Sequence, residues 1–302
     1  MKIYFNREPV SGPWGGGNKT VSALSKALVK KGVNVTYDLN DGPIDVIMCI
    51  DPRPNQSGIW YQNFLNYKMK NPSVKIVQRV GDVGTHSKPD LTRLVKESVK
   101  FSDFIIFPSL WAKEYIEFSD KNFSIIPNRP ISDFFKFRQN RAIKDRIKVV
   151  THHWSTNPKK GFDTYEFLSS SENSLVELTY IGRVPDSFNP KNVKVISPQD
   201  TSFLIEELPR HDIYLSASIE EAGANHVLEA MASGLPVLYH EKGGSIPEYC
   251  KGYGLSFSSN EDIKERLREL VSDFSSYKSH VMKYDQKIEQ TISDYCEILI
   301  GI

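Results

Sequence analysis

Two glutamates and the helix they bracket are the strongest chemical signal in this 302-residue chain. The segment SASIEEAGANHVLEAMASGLPVLYHEKGGSIPEY (216–249) holds Glu221 and Glu229 with seven residues between them. A helix starting near Ala224 puts Glu229 in its second turn and leaves Glu221 in the loop before it. Both carboxylates then lie near one helix N-terminus, where free amide groups and the helix dipole favour a phosphate. Such a site can hold a nucleotide diphosphate on the helix end and ribose hydroxyls on a carboxylate. Alone, the pair would read far more readily as solvated glutamates on a loop and an amphipathic helix.

Other candidate loops lie at strand ends. SGPWGGGNKT (11–20) follows the first apolar triplet, and its glycines permit positive φ and close backbone approach to a ligand. Gly12 and Gly17 have the four-residue gap of a phosphate-binding P-loop. Asn18 occupies the lysine position, however, with Lys19 and Thr20 displaced by one, so the lysine geometry of an NTPase fails. A merely structural tight turn is the other reading. QRVGDVGTHSKPD (78–90) offers Arg79, Asp82 and His86 at the carboxyl edge of a parallel sheet, where α/β proteins bind ligands. Asp82 is the preferred site residue of the three, with loop capping as its alternative role.

The elements that must position these residues alternate between short apolar runs and helix-period segments, the pattern of parallel sheets covered by helices on both faces. Strands are expected near 1–5, 33–38, 44–50, 74–79 and 103–107. A fresh series begins with KVVTHH (148–153), VELTYIG (176–182), DIYLSAS (212–218) and LPVLYH (235–240). Val21, Leu24 and Leu28 give the first helix its stripe and Gly32 its cap, while Leu91, Leu94, Val95 and Val99 mark another helix behind Asp90. Length supports two domains. We expect an α/β fold of two Rossmann-like domains over 1–135 and 146–280, with 281–302 a terminal helix returning to the first domain.

The whole string of Ser218, Glu221, Glu229-Ala230-Met231-Ala232, Gly234-Leu235-Pro236-Val237, Gly243-Gly244 and Glu248 resembles the donor-site signature of retaining glycosyltransferases of family 4. DFIIFPSLWAKEYI (103–116) looks like that family's last strand and helix of the N-terminal domain, and SIIPNRPISDFF (124–135) like its interdomain segment. Lys160-Gly161 matches the lysine that neutralises the donor diphosphate, and YIGRVP (180–185) the glycine turn beside it. The resemblance implies a GT-B fold, with the two parallel sheets facing a central cleft, and transfer of a sugar from a UDP- or GDP-linked donor with retention. It implies catalytic roles for Glu221, Lys160 and Asp82. Donor contacts are implied at Glu229, Gly223, Ala224, Asn225, Gly182, Arg183, His153, Gly16 and Gly17. Where many relatives carry an arginine six residues before the lysine, this chain has Trp154, so Arg183, His152 or His153 must supply that contact. By the same resemblance the terminal helix carries the stripe Val281, Tyr284 and Ile288. A sugar-nucleotide epimerase or a phosphorylase on the same scaffold, a P-loop NTPase and a non-catalytic sugar-binding relative are the alternatives.

Net charge is +1, which carries no strong nucleic-acid signature. The basic run Lys136, Arg138, Arg141, Lys144, Arg146, Lys148, interrupted only by Asp145, reads as a solvated linker face or as a surface for an anionic acceptor or a membrane. Three cysteines without metal-ligand spacing fit a reducing compartment. Lys2 leads straight into Ile3, Tyr4 and Phe5 without a signal-peptide core, and no apolar run approaches the roughly 18 residues of a membrane span. A cytoplasmic protein is expected, with peripheral membrane contact as an option. The sequence contains no Asp-x-Asp and no His/Cys cluster of catalytic metal spacing, so neither a metal nor another cofactor is called for. The acceptor and the oligomeric state are not specified by any of these motifs.

Overall fold

A computed structural model describes residues 1–10, 16–144, 146–170 and 176–302. The chain divides into two compact units, Met1–Asn128 with Ile288–Ile302, and Arg129–Lys287. Gly12 and the rest of 11–15, which carry most of the glycine loop, lie outside the described residues, as does Asp145.

In the first unit six parallel strands, β1 (Lys2–Phe5), β2 (Asn34–Thr36), β3 (Val46–Cys49), β4 (Lys75–Arg79), β5 (Phe104–Phe107) and β6 (Phe123–Ile125), run in the order β2-β1-β3-β4-β5-β6. Helices α1 (Gly16–Lys30), α2 (Tyr61–Lys70), α3 (Pro89–Ser98) and α4 (Leu110–Ile116) connect them. Every side chain of β3 is buried, as expected of a strand covered on both faces. The second unit repeats the plan. Strands β7 (Ile147–His153), β8 (Val176–Gly182), β9 (Val193–Ile196), β10 (Ile213–Ser216), β11 (Val237–His240) and β12 (Gly254–Phe257) are ordered β12-β11-β10-β7-β8-β9. Its helices are α5 (Phe162–Ser170), α6 (Thr201–Glu207), α7 (Asn225–Ala232), α8 (Ile246–Cys250), α9 (Asn260–Ser272) and α10 (Phe274–Val281).

Three strands were not anticipated: β6, β9 and β12. All three are sheet edges, three or four residues long and mostly half-exposed, so they lack the continuous apolar run of an inner strand. The first sheet accordingly ends on β6 and not on the 103–107 strand.

The final helix, α11 (Ile288–Gly301), belongs to the first unit, where Ile292, Tyr295, Cys296 and Leu299 share a core with Val21, Leu24 and Leu28 of α1. Val281 and Tyr284 are not part of its stripe. They are buried in the second unit with Phe134, because the chain between Arg129 and Phe135 folds back onto α7.

Lys136, Lys144, Arg146 and Lys148 of the basic run are exposed, as a solvated face would be, but Arg138 and Arg141 are partly buried and engaged. Arg138 donates to the carbonyls of Ala232 (2.6 Å) and Met231 at the end of α7 and to those of Met282 (3.1 Å) and Tyr284, and its guanidinium lies 4.2 Å over the Phe135 ring. Arg141 sits 3.5 Å from Asp212, and Arg146 donates to the Val176 carbonyl at 3.1 Å. Lys278 joins Arg138 at the same helix end, its ammonium donating to the Gly234 carbonyl. Two cations at a helix C-terminus satisfy orphan carbonyls and oppose the dipole.

Two tests follow from this end of α7. Arg138→Ala should lower the unfolding free energy in urea by about 2 kcal/mol or more, since hydrogen bonds from a charged donor are lost. Burial, with Arg141 and Arg138 nearby, lowers the Lys278 pKa from 10.5 to about 8. A lysine whose folded pKa is depressed binds fewer protons folded than unfolded, so its contribution to stability rises as pH climbs between those two values. Thermal melting of the wild type relative to Lys278→Met should therefore improve from pH 7.5 to pH 10, and a flat difference would contradict this reading.

Candidate active site

In an open parallel sheet, ligands bind where strand order reverses, outside the carboxyl ends of the strands. For the second unit that point lies between β7 and β10, and the predicted residues of this unit gather around it. His152 and His153 end β7, and Ser216 ends β10. From β10 the chain passes through Ala217–Ala224 into α7.

Helix α7 is buried almost all round, with Val227, Leu228, Ala230, Met231 and Ala232 in the core. Glu229 is its one acidic residue, a single turn from Asn225 on the same face. The Glu229 carboxylate is fixed 2.9 Å from Nε2 of His152, whose Nδ1 lies 3.1 Å from the Tyr214 hydroxyl. Burial raises the Tyr214 pKa, so this phenol stays protonated. At the helix start, Ala224 adopts an extended conformation and gives no side-chain cap, while its own amide donates to Ser245 Oγ at 3.1 Å. The helix thus begins with amide groups that its N-cap side chain leaves unserved.

Lys160 and Glu221 form an ion pair, with side chains only 12% and 15% exposed. Neighbouring Lys159 pairs with Glu220. Glycines fix both partners. Gly161 (φ 79°) follows Lys160, and a Cβ there would stand 2.4 Å from the Ala217 carbonyl oxygen. Gly244 (φ 70°) bridges to Glu221 as a parallel strand would, and its Cβ would lie 2.4 Å from the Glu221 carbonyl oxygen. Glu221 N donates to the Gly243 carbonyl (3.2 Å) and Ser245 N to that of Glu221 (2.8 Å). Glu220 takes up a left-handed φ of 56°, a strained setting for a side-chain residue. Ser218 Oγ is buried without a hydrogen-bond partner among the described residues.

Gly182 ends β8 with φ 142°, where a Cβ would strike the His153 carbonyl oxygen at 1.9 Å. Arg183 follows it, exposed, its amide donating to that same carbonyl at 3.2 Å. Trp154, in the position where an arginine was sought, is 42% exposed. The two histidines differ. His152 reaches the helix carboxylate, whereas the buried His153 ring has its Nε2 2.9 Å from the Tyr165 hydroxyl and 3.1 Å from Thr151 Oγ1. Burial pushes the Tyr165 pKa up to about 12, and that hydroxyl also accepts from Ala217 N at 3.2 Å, tying β7, α5 and the β10 loop together. Gly223, Ala224 and Asn225 run directly into α7.

Sequence reasoning missed His226, whose Nε2 lies 2.9 Å from Ser216 Oγ, and the Tyr165–Thr151 support beneath His153. An adjacent hydroxyl and imidazole on separate elements leave no spacing signal.

Asp82, Gly16 and Gly17 belong to the first unit. Gly16 and Gly17 open α1, and no atom lies within 4 Å of where a Gly17 Cβ would stand. Asn18, in the place of a P-loop lysine, clasps Val10 instead, accepting from its amide at 2.9 Å and donating to its carbonyl at 2.8 Å. Asp82 accepts from Gly84 N at 2.8 Å and pairs with Lys88 at 2.8 Å. Among the described residues no group of three His, Cys, Asp or Glu side chains could hold a metal ion, and no helix is long and apolar enough to cross a membrane.

Residues 182–287 match the family model of the Glycosyl transferases group 1. No curated protein matches the chain by sequence alone. Solved structures resemble it over its full length. Anabaena HepE in complex with UDP superposes with a TM-score of 0.74 at 14% identity, each chain covered 100%. WaaG, a glycosyltransferase involved in lipopolysaccharide biosynthesis, gives 0.68 at 17% identity, again with each chain covered 100%. Sucrose-phosphate synthase from Thermosynechococcus elongatus gives 0.68 at 14% identity, covering 100% of this chain and 97% of the other. The fold is therefore GT-B: two α/β units, each built on a six-stranded parallel sheet.

The buried ion pair gives its own test. Removing one partner of a buried pair strands the other charge. Lys160→Met and Glu221→Gln should each destabilise the protein in urea unfolding, and the double variant should recover part of the loss, with a coupling of about 1–3 kcal/mol. Strict additivity would mean that the two side chains do not depend on each other.

Proposed function

We propose that this protein is a glycosyltransferase that moves a sugar from a UDP- or GDP-linked donor to an acceptor, with retention of configuration and without a metal ion. The observation that carries the reading is the Lys160–Glu221 pair placed in the loop system that feeds the uncapped start of α7. Glu221 and α7, but not Lys160, lie within the segment 182–287 matched by the Glycosyl transferases group 1 model, and HepE, which shares the fold, was crystallised with UDP and with UDP-glucose.

In this reading the diphosphate rests on the amides at Gly223–Asn225, with Lys160 beside it. Charge grows on the leaving phosphate oxygen as the bond to the anomeric carbon breaks, and a preorganised ammonium and helix end stabilise it. The acceptor hydroxyl forms the new bond on the face that the diphosphate leaves, and its proton passes to the departing phosphate oxygen. Glu229, held by His152, accepts the ribose hydroxyls, while Glu221 serves the transferred sugar without becoming covalently attached. Arg183 and Gly182 complete the donor side, with the His153 carbonyl holding Arg183 N from beneath; Asp82, Gly16 and Gly17 are assigned roles from the first unit. Three buried free cysteines suit a cytoplasmic setting.

The decisive experiment is Glu229→Ala. Binding of UDP, GDP and ADP and their sugars is followed by calorimetry, and slow donor hydrolysis by NMR. We expect nucleotide affinity to fall roughly tenfold or more as charged hydrogen bonds to the ribose are lost, and transfer to cease. Wild-type turnover in this variant would remove the site assignment. The anomeric configuration of the released sugar, read in the same NMR spectra, separates retention from inversion.

A further inference from the structure

The first unit contains a cavity of about 520 Å³, a size suited to a small molecule. It opens where β1 and β3 end side by side, the reversal point of that sheet, and Asn6 seals this seam by accepting from Ile50 N (2.8 Å) and donating to the Asp51 carbonyl (2.6 Å). Arginines dominate its chemistry. Arg7 and Arg53 share one carboxylate, Asp51, at 3.4 Å and 2.6 Å, and their charges hold its pKa low against the opposing effect of burial. Asp82 also lines the cavity and is paired with Lys88, while Glu8 lies exposed on its rim.

Arg79 is different. It ends β4 only 7% exposed, lines the cavity and has no ion-pair partner among the described residues. One Nη donates to the Asn128 side-chain oxygen at 3.3 Å, and the Tyr295 hydroxyl lies against the guanidinium, yet Nε has no hydrogen-bond partner among the described residues. Gly81 makes the room: a Cβ there would stand 2.0 Å from Arg79 Nη1. A buried cation satisfied only by neutral groups is costly, and proteins keep such a charge where an anion will meet it. A guanidinium is suited to bidentate capture of carboxylate or phosphate.

We propose that this cavity binds the oxyanion, phosphate or carboxylate, of a small acceptor molecule, with Arg79 as its principal partner and Arg7 and Arg53 at the entrance. Taking the ligand as acceptor rests on the glycosyltransferase reading; the anion site itself does not.

The full-length chain, without nucleotide, is titrated by calorimetry with inorganic phosphate, glycerol 3-phosphate, glucuronate and uncharged glucose. Expected is saturable binding of at least one phosphate or carboxylate probe and none of glucose; which of the two binds identifies the source of the anion. Arg79→Gln should weaken that binding at least tenfold while leaving the melting temperature unchanged or higher, because a buried unpaired charge is removed. An arginine serving only to hold Tyr295 and Asn128 would instead lose stability. Gly81→Ala supplies a second variant, since the added methyl meets the mobile end of a side chain: it should fold and weaken anion binding. The proposal is overturned if no anionic probe binds, if glucose binds equally, if both variants keep wild-type affinity, or if UDP displaces the bound probe competitively. Failure of UDP to bind at all would instead sink the donor-site reading and leave the anion site standing.

Discussion

The structure of the second unit depends on a short buried helix whose two ends are treated oppositely. A buried helix leaves amides at one end and carbonyls at the other, and each must find a partner. In α7 the carbonyl end is met by Arg138 and Lys278, the second of them buried at the cost of a depressed pKa. The amide end begins at Ala224, a residue with no side chain to cap it. Serine or aspartate would be the ordinary stabilising choice there, closing the amides to anything else. Alanine supplies no such cap. In the loop before it, Glu220 and Glu221 pair with Lys159 and Lys160.

Backbone geometry, more than side-chain reach, then decides where the charged groups stand. Glu221 is set by a bridge to Gly244 so close that no side chain can intervene, and Lys160 by a turn whose glycine touches Ala217. These glycines are needed for positive φ and for the absence of a Cβ together. Three loops, following β7, β10 and β11, become one rigid assembly through Ile219 N to the Lys159 carbonyl (2.9 Å) and Glu220 N to that of Lys242 (2.9 Å). The strained φ of Glu220 persists because both of its neighbours are pinned.

This explains which parts could be read from sequence. Inner strands such as VIMC, buried throughout, and VELTYIG, buried from Leu178 onward, were legible because strands covered on both faces are mostly apolar, and the α/β alternation followed from them. Three of the four edge strands, β6, β9 and β12, were not, since half-exposed runs of three or four residues carry no such signature. The Glu221, Glu229, Gly243-Gly244 and Lys160-Gly161 string was legible as a pattern of types. Contacts joining elements far apart in the chain were not: Glu229 to His152 spans 77 residues, and nothing in HHWS distinguishes the histidine that reaches the helix from the one that turns into the core. Arg138 was misread for the same reason. In a run of lysines and arginines the one that caps a buried helix 94 residues away looks like its solvated neighbours.

The two units solve one electrostatic problem in different ways. Both place polar groups where their strand order reverses, the point at which adjacent strand ends diverge and leave a crevice. In the second unit the cation at that crevice, Lys160, is balanced internally by Glu221, a carboxylate with which any anion would have to compete. In the first unit Arg79 is buried without such a carboxylate among the described residues, and its partners there, Asn128 and Tyr295, are neutral. An internally balanced cation lets a site rest stably and exchange partners. A buried unbalanced one makes the resting state less stable and strengthens the pull on an incoming anion. The same fold thus carries a paired cation in one unit and, among the described residues, a cation without an ion-pair partner in the other.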